Sequence, residues 1–198
     1  MKLKNSFCFF NLKNFSPKFF DSTILNQSQS FKLISLCDFS VSQKWKCIYR
    51  ASNDGYSSET FHFKCDRKSS TLIILKAAET GFIFGGYTEA SWDGDEIQKF
   101  DPNAFIFSLK NGENNPIKLK PNNFALSIFC SRYTGPSFGR GDIHIESNSN
   151  IKGDYDSFSD MGDVFDHPRY SYGTNEAQSF LAGSYHFKLS EIEVFQKE

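Results

Sequence analysis

The sequence predicts a mainly β fold: a two-sheet antiparallel β-sandwich with two or three short flanking helices. About seven short segments alternate apolar with polar residues, and turns rich in glycine, asparagine and aspartate separate them. A parallel sheet would need helix-length crossovers, and most intervals between these segments show no helical pattern. The 198 residues are enough for one domain with an N-terminal arm.

The first part of the chain differs in composition from the rest. Residues 1–20 carry four lysines and no acidic residue, so we interpret them as a basic arm preceding a domain at 21–198. Their apolar patch is too short for a signal peptide, and no arginine, which a mitochondrial presequence would favour, occurs before Arg50. We expect a cytoplasmic protein, with a mitochondrial location as the alternative.

Three short segments have helical spacing of apolar residues. The first is 28–37, with a serine as candidate N-cap. The second is Ser58–Cys65, capped by Ser57, and the third is 175–181, capped by Thr174. These are the helices expected on the flanks of the sandwich.

The strands are predicted from period-two alternation and from short apolar runs. Residues 71–76 (TLIILK) are apolar on both faces, which indicates a central strand. The glycine pair in 82–87 (FIFGGY) indicates a bulge or a close approach of another backbone. Further strands are predicted at 45–50, 104–109, 124–130 and 142–146, and a long polar loop at 148–169.

The last segment changes phase along its length. The apolar phase of 185–189 is offset from that of 192–194, and a strand keeps its phase unless a residue is inserted. We therefore predict a bulge near Ser190, after which Glu191 and Glu193 face away from the core together.

The composition argues against several classes of function. A formal net charge of −1 is unlike that of a protein that binds nucleic acid or an anionic membrane. No apolar run reaches the length of a membrane helix, so membrane insertion is not expected. The five cysteines lack a C-x-x-C pair, which favours free thiols in a reducing compartment over disulfides or a zinc site.

The sequence contains no convincing catalytic motif. Residues 135–139 (GPSFG) match the G-x-S-x-G of a nucleophile elbow, but a strand pattern follows where that elbow requires a helix. The four histidines have no metal-ligand spacing. We therefore expect a protein that is not an enzyme and has no cofactor and no metal.

One alternative is a thiol-based antioxidant enzyme that uses Cys65. His62, Lys64 and Arg67 lie near it in sequence and could stabilise a thiolate. Phe61, four residues before it, shares its face and favours a buried structural thiol instead.

Another alternative is a β-sandwich that binds calcium or carbohydrate through the long loop. Calcium prefers flexible loops rich in carboxylates, although the spacing here is not that of a D-x-D-x-D-G loop. The loop carries a string of aspartates: Asp154, Asp156, Asp160, Asp163 and Asp166.

Seven blocks, in this order, resemble the TLDc domain. They are 48–52 (IYRAS) with 54–55 (DG), 61–62 (FH) with 64–66 (KCD), 71–76 (TLIILK), 81–87 (GFIFGGY) with Trp92, 101–109 (DPNAFIFSL), 135–139 (GPSFG) with 141–143 (GDI), and 180–185 (FLAGSY) through 191–195 (EIEVF). The resemblance covers about 21–198. Arg140 departs from it, because the family's turn usually carries a small residue there.

The resemblance implies a β-sandwich with flanking helices and a protein-binding module with no established catalytic site. TLDc proteins are associated with protection against oxidative stress and with binding and regulation of the vacuolar-type proton ATPase (V-ATPase). We accordingly expect a monomer whose leading candidate partner is the V-ATPase.

The surface expected to bind the partner lies in loops and on outward faces of strands. The candidates are Trp92 and Asp93 after the glycine strand, Arg140 and Asp142 at the turn, and Glu191 and Glu193 on the last strand. Each has a plainer interpretation: Trp92 could cap the core, Asp142 could hold its turn together, and the glutamates could protect a strand edge.

Overall fold

A computed structural model describes residues 21–151 and 156–198. Its α-helices are short, and three of them begin at a side-chain cap. Asn26 and Gln29 form a capping box at the start of the first helix, while Ser57 and Thr174 cap the third and fourth as predicted. The helices are α1 (Gln27–Leu36), α2 (Ala51–Asp54), α3 (Ser58–Cys65) and α4 (Asn175–Ser179).

The strands of the described residues pair only in antiparallel fashion. They are β1 (Trp45–Arg50), β2 (Thr71–Ala77), β3 (Ile83–Thr88), β4 (Ile97–Lys99), β5 (Phe105–Lys110), β6 (Ile117–Leu119), β7 (Ile128–Cys130), β8 (Ser137–Phe138), β9 (Ser157–Phe158), β10 (His186–Phe187) and β11 (Leu189–Lys197). The predicted fold class, a mainly β antiparallel sandwich with short helices, is confirmed.

The largest sheet has six strands in the order β1-β11-β2-β3-β5-β6. The last strand therefore lies between the first two. Its register shifts between Leu189 and Glu191, which confirms the bulge predicted near Ser190.

The inner face of this sheet packs against the smaller sheets, β4-β7-β8 and β9-β10. Large apolar side chains fill the space between the layers, because alternate residues of β2, β3, β5 and β11 all point there. The inner core includes Ile73, Leu75, Phe84, Trp92, Ile106, Phe138, Ile143, Ile145, Phe165, Ile192 and Val194.

The outer face of the six-stranded sheet is also covered. Residues 24–37 lie over it, so the other phase of the strands is buried in a second, outer core. That core includes Ile24, Leu25, Leu33, Ile34, Trp45, Leu72, Ile74, Phe105, Phe107 and Phe195. Both faces of β2 are buried, which explains why its sequence is an almost continuous apolar run.

The glycine pair of β3 permits close approach on both faces. A Cβ on Gly85 would lie 2.0 Å from the carbonyl oxygen of Ile73, and one on Gly86 would lie 2.5 Å from the ring of Phe138. The close approach is confirmed, while the shift in register against β5 falls earlier, between Ile83 and Phe84.

Two predicted strands are shorter than expected. Residues 124–130 begin with a 3₁₀ turn because the side chain of Asn123 accepts a hydrogen bond from Ala125 N–H at 3.1 Å, and only Ile128–Cys130 form a strand. Residues 142–146 form isolated bridges, including Phe138 to Ile143. The loop predicted at 148–169 contains β9 and contributes buried residues such as Phe165 to the core.

Candidate functional site

Trp92 lies in the core and not on a partner-binding surface. Its side chain is 1% exposed, and its ring contacts those of Phe61 and Phe138 at centroid distances of 5.7 and 5.6 Å. The indole N–H donates to Thr71 Oγ1 at 2.9 Å, which satisfies the only polar atom of the ring. The expectation of an exposed Trp92 is wrong, and the alternative of a core residue is correct.

Glu191 and Glu193 point away from the inner core, but they are buried. Glu193 Oε1 accepts from Thr23 N–H at 2.7 Å and from Arg50 Nε at 3.0 Å, and its other oxygen accepts from the Ser22 hydroxyl at 2.6 Å. Glu191 accepts from the backbone N–H of Ser52 at 3.0 Å. The prediction that they are exposed is wrong, because the segment before α1 covers the face on which they lie.

Asp142 is completely buried and holds its loop together. Its carboxylate accepts backbone N–H bonds from Gly162, Val164 and Phe165 at 3.0–3.3 Å. A Cβ on Gly139 would lie 2.0 Å from Asp142 Oδ2, so only glycine fits beside it. The structure therefore does not place Asp142 on a surface where a partner could reach it.

Asp142 gives the protein a pH-dependent term in its stability. Burial raises the pKa of its carboxyl from 3.8 to about 6, although the three N–H donors oppose this. Because the folded state then binds the proton more tightly than the unfolded state, this term stabilises the protein as the pH falls through 6 towards 4. We expect a gain of about 1 kcal/mol between pH 7 and pH 5, which Asp142→Asn lacks.

Urea denaturation of both proteins at the two pH values measures this gain. The carboxyl carbon of Asp142 in the unmodified protein, followed by NMR, gives the same pKa independently of whether the variant folds. A titration midpoint in the ordinary aspartate range would contradict the prediction.

Asp93 and Arg140 remain accessible, but they lie at different sites. Asp93 accepts from Arg67 N–H at 3.3 Å and lies 3.9 Å from Lys99 Nζ on β4. The guanidinium of Arg140 makes two hydrogen bonds, of 2.8 and 2.9 Å, to the carboxylate of Asp163. Their roles in binding stay predictions.

His62 joins α3 to the turn that follows β7. Its Nδ1 lies 2.7 Å from Asp66 Oδ1, and its Nε2 lies 2.9 and 3.0 Å from the carbonyl oxygens of Ser131 and Thr134. The loop 93–96 is attached to the same turn, because the side chains of Asp95 and Arg132 form an ion pair. These contacts bring α3, β4 and the turn at 131–134 to one side of the molecule.

Several exposed large hydrophobic residues belong to these elements or directly follow them. Phe63, in α3, is 86% exposed, and Phe100, after β4, is 66% exposed and contacts the ring of Phe124 at 6.4 Å. We call Phe63, Ile97, Phe100, Phe124 and Tyr133 the β4 surface; they are five of the eight most exposed large hydrophobic residues in the described ranges. Exposed apolar residues that lie in contact are typical of protein-binding surfaces, and the rings of Phe100 and Phe124 are such a pair.

Of the residues that the sequence predicted to bind a partner and that are exposed, only Asp93 lies close to this surface. The sequence signal for Phe63 was its position in α3, since it lies outside the apolar face that Phe61 and Cys65 form. A phenylalanine outside the apolar face of a short helix has no core to enter.

Ser137, His144 and Glu146 form a hydrogen-bond chain that the sequence did not predict. Ser137 Oγ lies 3.3 Å from His144 Nδ1, and His144 Nε2 lies 3.0 Å from Glu146 Oε1. The ring of His144 stacks on Phe158 at 4.7 Å. Ser137 is 1% exposed and lies in a strand, which leaves its hydroxyl without the access and the helix N-terminus that a nucleophile elbow provides.

The thiols in the described ranges have little thiolate character. Cys65 is completely buried, and desolvation raises its pKa. Burial likewise raises the pKa of Cys37 to about 12 and that of Cys130 to about 11, and it raises the pKa of the partly buried Cys47. Cys8 lies outside the described residues.

We expect Ellman's reagent to leave Cys37, Cys65 and Cys130 unmodified in the folded protein, because their sulfur atoms are buried and protonated. All three should react once the chain is unfolded in guanidinium. Mass spectrometry of alkylated peptides assigns each thiol. Rapid modification of Cys65 in the folded protein, absent in Cys65→Ser, would instead support the antioxidant-enzyme alternative.

The acidic string of the long loop is largely engaged by other side chains. Asp160 accepts from Gln178, Asp163 pairs with Arg140, and Asp166 accepts from Asn122. Asp154 lies outside the described residues. Within 21–151 and 156–198, no group of three or more histidine, cysteine, aspartate or glutamate side chains has a geometry that could hold a metal ion.

None of the helices in the described ranges has both the length and the apolar character needed to cross a bilayer.

The sequence-family model of the TLDc domain matches residues 18–198, which is nearly the whole chain. The chain belongs to the TLDc domain family. No curated protein matches it. In this TLDc domain, Arg140 pairs with Asp163 of the long loop, so the charge of this arginine is balanced within the domain.

Proposed function

We propose that this TLDc domain is a non-catalytic protein-binding module that binds and regulates the V-ATPase and thereby contributes to protection against oxidative stress. The observation that carries the proposal is the match to the TLDc family along 18–198, since this family is associated with both roles. The β4 surface supports it with an exposed apolar area suited to a protein partner.

A role without chemistry also agrees with the state of the candidate catalytic groups. The Cys65 thiol and the Ser137 hydroxyl are both buried, so neither reaches a substrate in this conformation. Oxidative-stress protection is accordingly proposed to act through the partner.

Co-purification with the V-ATPase tests the proposal. The tagged chain is incubated with solubilised V-ATPase, and ATP-driven proton pumping into vesicles is measured with and without it. We expect the ATPase subunits to co-purify and the pumping rate to change. Neither association nor any effect on pumping would overturn the assignment of this partner.

A pair of variants tests the surface. Phe63→Asp combined with Phe100→Asp places two charges on the β4 surface and should abolish co-purification, since both side chains are exposed and their loss leaves the core intact. Tyr172→Asp alters another exposed aromatic residue, 55% exposed, between the long loop and α4, and this variant should bind normally. Equal binding by all variants would exclude the β4 surface as the contact.

A further inference from the structure

A cavity of about 290 Å³ opens beside α4, and no residue of the β4 surface lines it. Its walls combine aromatic rings with carboxylates. The rings are those of Phe82, Tyr170 and Phe180, and the polar groups are Glu113, Glu176 and Ser179. None of the described residues that line it is basic.

Two glycines leave the ring of Phe82 accessible within this cavity. A Cβ on Gly112 would lie 3.5 Å from Phe82 Cζ, and one on Gly183 would lie 3.6 Å from Phe82 Cε2. Gly183 has a φ of +97°, which disfavours any other residue there. Side chains at these positions would lie against the ring, and glycine leaves that space to a ligand.

The two carboxylates differ in what they contact. Both oxygens of Glu113 accept hydrogen bonds, one from Arg169 Nη2 and the other from the Tyr170 hydroxyl. The bond from Tyr170 is the main reason why the pKa of Glu113 is lowered. Glu176 is exposed on the first turn of α4 and has no hydrogen bond or ion pair to any described residue. One carboxylate beside the rings is therefore available to a cation.

A cation of this chain already uses the same chemistry at the edge of the cavity. The guanidinium of Arg169 lies over the ring of Tyr170 at 5.3 Å while it pairs with Glu113. Positive charge is attracted by the face of an aromatic ring, and a nearby carboxylate adds to the attraction. The cavity contains the same two kinds of group, the carboxylate of Glu176 and the rings of Phe82 and Phe180. No basic side chain of the described residues lines it.

We propose that this cavity binds a lysine side chain of a partner protein, with the ammonium beside Glu176 and the methylene stem against Phe82 and Phe180. Both oxygens of Glu113 are occupied, one by Arg169 and the other by the Tyr170 hydroxyl, so the free carboxylate of the site is that of Glu176. A compact ammonium needs only one carboxylate. The inference rests on the proposed protein-binding role and specifies the chemistry of a contact.

NMR titration of the ¹⁵N-labelled chain tests the site. The probe is an acetylated, amidated Gly-Lys-Gly peptide, and the matched probe has norleucine, which keeps most of the stem and lacks the ammonium. We expect the lysine peptide, at millimolar concentration, to shift the amide signals of Gly112, Glu113, Ser179 and Gly183. The norleucine peptide should bind more weakly by about three- to tenfold.

Glu176→Gln should weaken binding of the lysine peptide by a similar factor, while Glu59→Gln should leave this binding unchanged. Glu59 is the matched control because it is also exposed and in the first turn of a short helix, α3. Equal shifts with both peptides, unchanged binding to Glu176→Gln, or no shifts around the cavity would each overturn the proposal.

The outcome is separable from that of the proposed function. If the cavity fails these tests while the unmodified chain still co-purifies with the V-ATPase, the lysine site is wrong and the partner stands. If the peptide binds as expected but no V-ATPase subunit co-purifies, the lysine site stands and the partner is wrong.

Discussion

Glu193→Gln is expected to lower the free energy of unfolding by about 3 kcal/mol, because it removes the charge that compensates a mostly buried guanidinium. Glu193 is completely buried, and the Arg50 side chain is only 16% exposed. Nη2 of Arg50 is already buried without a hydrogen-bond partner among the described residues. The bond from Arg50 Nε to Glu193 is therefore the main compensation for burying this charge.

The same change should loosen the segment before α1. Glu193 Oε1 accepts from Thr23 N–H, so hydrogen exchange at that amide should accelerate in the variant. Urea denaturation measures the loss of stability. Glu79→Gln is the control, since Glu79 is exposed, and its effect should stay within about 0.5 kcal/mol. Unchanged stability together with unchanged exchange at Thr23 would contradict this account of the segment.

Gly85→Ala is expected to prevent folding or to cost more than about 4 kcal/mol. Its Cβ would lie 2.0 Å from the carbonyl oxygen of Ile73 on the paired strand, with the ring of Phe107 at 3.2 Å on the same side. Both neighbours belong to strands at the centre of the large sheet, so neither can move without breaking the β2–β3 or β3–β5 pairing.

Circular dichroism of the purified variants, followed with temperature, measures this effect. Gly112→Ala is the control, because its added Cβ would make an ordinary contact of 3.5 Å with Phe82. The melting temperature of that variant should be close to that of the unmodified protein. A Gly85→Ala protein that also melts close to the unmodified one would show that β2 can shift away from β3 at little cost.

Sequence patterns predicted the sandwich because most of its strands, and the caps of α3 and α4, have a local cause. The cap of α3 is a serine one residue before the helix, and the bulge near Ser190 follows from a change of phase within one segment. Such signals lie within a few residues of the feature they produce. They are independent of where the rest of the chain goes.

Burial of the candidate site residues could not be predicted in the same way. The pattern of β11 places Glu191 and Glu193 opposite Ile192, and this is correct. Whether that opposite face is open depends on residues 22–25, which are about 170 positions away in sequence and whose hydrogen bonds show no periodicity. Asp142 is similar, since its donors come from the loop at 162–165.

The position of β11 also has a consequence for synthesis of the protein on the ribosome. β1 and β2 have no backbone pairing with each other, because each pairs with β11 on one of its two edges. Translation must therefore reach Leu189–Lys197 before the two earliest strands can join one sheet. Until then the backbone edges of β1 and β2 that pair with β11 lack this partner, so the six-stranded sheet is completed only after its C-terminal strand has been made.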